Sequence, residues 1–127
     1  MRKFKIYMVL GITIIVLLSC GKNPLSDRPG EVYGTWKLTE TLFDPGDGSG
    51  KYEKVKENKS LNLSKTGIIS GDALPDLNAF RILDSVRMEV TLKANQTILV
   101  YRYKATANML TLNPPCIEGC GYRFIRR

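Results

Sequence analysis

The residues of this chain that could do chemistry are few: two cysteines, one glutamate and a short stripe of aliphatic and phenolic side chains. Cys116-Ile117-Glu118-Gly119-Cys120 puts two thiols four residues apart with a glycine between them, a spacing that can close a small ring at a turn. As a metal site it falls short, because zinc takes four ligands and the chain has no histidine. Redox pairs use the tighter Cys-x-x-Cys at a helix start. Asp44, Asp47 and Ser49 sit in a glycine-rich loop whose spacing does not match an EF-hand, so a plain loop is expected rather than calcium. No metal or cofactor is expected. Leu99, Tyr101 and Tyr103 fall on one face of an alternating run, and Glu40 falls on the face of Trp36, Leu38 and Leu42. Glu40 and the tyrosines could hydrogen-bond a small ligand in an apolar cup. The alternative is a Glu40 at the rim in solvent, where glutamates usually lie, since an unpaired buried carboxylate is costly.

The missing histidine removes the commonest general base and the Ser-His and Cys-His nucleophile pairs. No phosphate-binding glycine loop or nucleophile elbow is present either, and a non-enzymatic protein is expected. The formal charge is +7, but three of the nineteen Lys and Arg residues are Arg2, Lys3 and Lys5, which leaves +4 on the remainder. Those charges are scattered and not interleaved with aromatics, so no nucleic-acid partner is expected.

The elements that must position these residues read as strands. Residues 33–43 (YGTWKLTETLF) alternate apolar and polar side chains, and 44–50 (DPGDGSG) can only be a loop. Residues 51–56 form a polar rim strand, and 60–64 with 68–70 form a hairpin around Lys65-Thr66-Gly67. Residues 71–78 (GDALPDLN) are irregular and are placed across one barrel mouth. Strands follow at 80–83, 86–92, 96–105, 109–112 and 121–126, with short turns between them. Short connections pair sequential strands, and closure removes exposed edges. The fold expected is all-β: a small antiparallel up-and-down meander barrel of eight or nine short strands, after an N-terminal signal helix.

That signal occupies residues 1–19. A basic start at Arg2, Lys3 and Lys5 precedes an apolar run over 6–18, and small Ser19 stands before Cys20. Leu17-Leu18-Ser19-Cys20 resembles the lipobox of bacterial lipoproteins. The resemblance implies a Cys20 lipidated and acylated at a new N-terminus, with membrane anchoring through three acyl chains. It implies a cell-envelope location, on the outer membrane facing the periplasm, because Gly21 is not the aspartate that retains many lipoproteins at the inner membrane. With Cys20 modified and the envelope oxidising, Cys116 and Cys120 become natural disulfide partners. Residues 20–30 (CGKNPLSDRPG) then read as a flexible tether and 31–127 as the domain.

Gly34-Thr35-Trp36 resembles the Gly-x-Trp signature of lipocalins, and the match extends through GTWKLTETLFDPGDGSGKYEKV, FRILDSVRMEV and CIEGCGYRF to a group of small bacterial lipocalin-like lipoproteins. It implies that Gly34 and Trp36 close one barrel end and that an arginine of the last strand lies across the indole. Arg123 is the first choice and Arg126 the alternative. Glu40, Leu99, Tyr101 and Tyr103 would then line a binding site for a small amphipathic ligand. The competing expectation is a barrel filled by its own side chains that binds an envelope protein, or inhibits an enzyme, through loops 44–50 and 71–78.

Overall fold

A computed structural model describes residues 30–127; the expected signal at 1–19, Cys20 and all of the 20–30 tether except Gly30 lie outside the described residues. Strands form where apolar and polar side chains alternate, and they end at Gly, Asp, Asn and Ser clusters. Among the described residues there are nine: β1 (Gly34–Phe43), β2 (Tyr52–Lys54), β3 (Ser60–Leu63), β4 (Ile69–Ser70), β5 (Leu77–Ile82), β6 (Arg87–Leu92), β7 (Ile98–Ala105), β8 (Met109–Asn113) and β9 (Cys120–Arg126). No helix occurs among the described residues.

The sheet runs β4-β3-β1-β9-β8-β7-β6-β5, with every pairing antiparallel. The last strand thus pairs with the first, as an up-and-down barrel requires. β2 and β3 share one edge of β1: β3 lies against Gly34–Lys37 and β2 against Glu40–Leu42. Together they act as one interrupted strand. The seam between β4 and β5 is the thinnest joint. An isolated bridge, Ile68 to Ala79, spans it, and the Phe80 N–H donates to the Gly67 carbonyl at 2.9 Å. The barrel is nearly closed.

Inward residues come from every wall. Trp36, Leu61, Leu63, Met88, Val90, Leu110, Leu112 and Phe124 are fully buried, and Leu38, Phe80 and Tyr101 nearly so. Burying such side chains supplies about 1.5–3 kcal/mol each, the main force holding the walls together. β1 keeps the expected alternation only through Leu38. There a β-bulge shifts its register on β9: Leu38 faces Phe124, but Glu40 faces Arg123. The extra residue, Thr39, donates its hydroxyl to the Arg123 carbonyl at 3.0 Å, so the displaced backbone acceptor stays satisfied. Beyond the bulge the two faces exchange roles. Thr41 lies opposite Tyr122, and Glu40 and Leu42 turn outward.

Candidate functional site

The two barrel ends differ in construction. At one end, residues 30–33 cross beneath β1, with the Gly30 N–H donating to the Ala105 carbonyl at 3.0 Å. Val32 is buried there and accepts a 2.8 Å hydrogen bond from the Trp36 indole N–H. Arg126 lies across the indole, its guanidinium carbon 4.1 Å from the ring centroid. The same guanidinium donates to the carbonyls of Ala107 (2.7 Å), Tyr33 (2.9 Å) and Glu31 (2.5 Å). Gly34 has a φ of +126°, and a Cβ there would stand 3.0 Å from the Arg126 Nη1. This end is sealed.

Arg126 therefore takes the position for which Arg123 was the first expectation. The reason is strand phase. Tyr122, Phe124 and Arg126 alternate on the inner side of β9, and Trp36 sits directly opposite Arg126 in the ladder. Arg123 points the other way. On the outer surface it pairs with Glu40 at 2.9 Å and stacks 3.5 Å over the ring of Tyr52, pinning β2 to the wall. Glu40 accordingly does not belong to an inner cup, and the β-bulge is what turned it out. Phe124, an apolar neighbour two residues from Arg126, was the signal that could have separated the two arginines.

At the other end the chain from β4 to β5 crosses the mouth over residues 71–76, whereas Leu77 and Asn78, expected in the same irregular stretch, already belong to β5. Gly71 takes a φ of +100°, with its Cα against the Ser60 carbonyl. The Ala73 N–H donates to that carbonyl at 2.9 Å, which lays Ala73 and Leu74 onto the core. Beside this strap a cleft of about 260 Å³ is lined by Ala73, Leu74, Pro75, Asp76, Leu77, Leu92, Tyr101 and Tyr122. Tyr101 is 6% exposed, and its hydroxyl makes no hydrogen bond among the described residues. Burial, then the neighbouring Tyr122 and Asp76, push its pKa up to about 12.

Of the four residues expected at a ligand site, only Tyr101 lines this cleft. Tyr103 donates to the Asp84 carbonyl at 2.7 Å, which occupies its hydroxyl away from the mouth. Leu99 packs against the core as a half-buried wall residue. Sequence reasoning missed Tyr122 and Asp76. Tyr122 could have been found from its shared face with Phe124; Asp76 lies in a stretch without periodicity and left no such signal.

The rim beside the mouth is formed by two loops. Cys116 and Cys120 form a disulfide, and the Asp44 N–H donates to the Gly119 carbonyl at 3.1 Å. The Asp44 carboxylate accepts backbone N–H groups from Gly46, Gly48 and Gly50, which holds its pKa below the usual carboxylate range and folds the 44–50 loop on itself. Phe43 and Ile117 project into solvent on either side of this joint. Comparison of the chain with protein-family models, with curated proteins and with solved structures finds no match.

Proposed function

We propose that this chain is a membrane-anchored, lipocalin-like lipoprotein that acts as a non-enzymatic binding module for a small amphipathic molecule. The observation that carries the reading is the mouth cleft, in which Tyr101, its ring buried, presents to the cleft a hydroxyl that no described protein group uses. No buried side-chain N or O among the described residues lacks a partner, so the Tyr101 hydroxyl reaches solvent in the cleft, and a hydroxyl open to an otherwise largely apolar cavity suits a ligand. The sealed Trp36 end, the first-to-last closure and the lipobox pattern are consistent with the same reading. Gly30 leaves the barrel at the sealed end. An anchor at Cys20 would then attach to the barrel at the end opposite the cleft. Ten residues of tether reach at most about 35 Å.

A second reading draws on a different observation. Phe43 and Ile117, both strongly exposed beside the disulfide loop, suit docking onto an envelope protein. Native mass spectrometry of the lipid-stripped protein purified from its own envelope separates the two. A small molecule retained at one per chain and lost in a Tyr101→Trp variant supports the binding module. A bare chain that co-purifies with a protein partner, lost in Ile117→Asp, supports docking.

A further inference from the structure

The cleft's lining also constrains the charge of what it binds. Its polar groups are the hydroxyls of Tyr101 and Tyr122 and the carboxylate of Asp76, and no Lys or Arg lines it. Asp76 is an exposed residue at the cleft's edge and forms no ion pair among the described residues. The ion pairs among the described residues are Arg81–Glu89, Arg87–Asp84 and Arg123–Glu40. Lys93 meets Asp76 only through its backbone, its N–H donating to the Asp76 carbonyl at 2.8 Å. Ala73, Leu74, Pro75, Leu77 and Leu92 supply the apolar wall.

Resting on the binding-module reading, we infer that the ligand class is a cationic amphiphile: a short apolar body ending in a protonated primary amine, with Asp76 as counter-ion and the Tyr101 and Tyr122 hydroxyls as hydrogen-bond partners. An ammonium carries three donors and no acceptor, and three side chains of the cleft offer oxygen acceptors beside an apolar wall. A fatty acid or phosphate head group would instead meet the like charge of Asp76 at the edge of a cleft that no Lys or Arg lines. The volume of about 260 Å³ suits a chain of about six carbons and its head group, at about 30 Å³ per water-sized unit.

The test is equilibrium dialysis of the full chain in neutral phosphatidylcholine vesicles, with protein-free vesicles as the blank. Hexylammonium, hexanol and hexanoate serve as probes of equal length. Hexylammonium is expected to bind about tenfold or more tighter than hexanoate, as a charge-assisted hydrogen bond and a like-charge repulsion together require. Asp76→Asn, whose side chain supports no other described contact, should bring hexylammonium to within about threefold of hexanol. Tyr101→Phe removes only an unpaired hydroxyl and should weaken hexylammonium about fivefold. Unchanged Trp36 fluorescence certifies the fold of each variant. Equal binding of all three probes, tighter hexanoate, or an amine preference that survives Asp76→Asn overturns the charge selectivity and leaves the binding module standing. Failure of every probe to bind above the blank overturns both.

Discussion

Replacing Arg126 by alanine should cost far more stability than replacing Arg123, although the two lie three residues apart on one strand. Arg126 loses a cation–π stack on a buried indole, worth about 0.5–2 kcal/mol. It also loses bonds to the Tyr33 and Ala107 carbonyls, about 1 kcal/mol each once discounted for partial exposure. Its third bond, to Glu31, is exposed and adds little. The total is about 3 kcal/mol, a large part of the 5–15 kcal/mol typical of a domain. Arg123→Ala breaks one half-buried ion pair and a stack on half-buried Tyr52 at the outer surface, together about 1 kcal/mol once screened by solvent. Urea denaturation followed by fluorescence of Trp36, the one tryptophan, reads both directly. With m of about 2 kcal/mol/M, the midpoint should fall by about 1.5 M for Arg126→Ala and about 0.5 M for Arg123→Ala. Equal losses, or the larger loss at Arg123, would refute the arrangement of the sealed end.

Gly34→Ala should cost about 1–3 kcal/mol in the same assay, because its φ of +126° is strained for any side chain and its Cβ would crowd Arg126; a neutral result argues against that geometry. Cys116→Ser should lower stability by about 2 kcal/mol, the chain-entropy value for so short a ring. Alkylation without reduction should label neither Cys116 nor Cys120 of the native protein. Tyr101 ionises in the folded barrel only near pH 12, against 10 for a free phenol, so the unfolded chain gives up this proton first. Stability should therefore fall as pH rises from about 10 to about 12, and the fall should shrink in Tyr101→Phe to the share of Tyr103, whose pKa burial also raises. Tyrosinate absorbance of the native protein should show fewer groups titrating near pH 10 than in urea, and the difference should shrink in Tyr101→Phe.

Strand boundaries were largely legible, because the alternation in 86–92 and 96–105 and the turn clusters between strands act locally. β6 and β7 fall within those runs. β5 was less so: it begins at Leu77, inside a stretch whose Gly, Asp and Pro read as loop. The β-bulge was not legible at all. Nothing in Leu38-Thr39-Glu40 announces an extra residue, because a bulge is defined by the partner strand's register. Everything beyond it on β1 inherited the error, which is why Glu40 and Leu42 were assigned to the inner face. The arginine on the indole depends on the same long-range pairing. The cleft joins Tyr101 to Asp76 and Tyr122, which are far apart in sequence and meet only once the barrel closes.

The central claim is that one barrel end is sealed by Trp36 and Arg126 while the other takes up a small molecule at Tyr101. Titrating hexylammonium into isotopically labelled protein and following its NMR signals tests this most directly. Shifts should concentrate on Leu74, Leu92, Tyr101 and Tyr122, and the Trp36 indole N–H should stay in place with slow hydrogen exchange. Shifts centred on Trp36, or a rapidly exchanging indole proton, would contradict it.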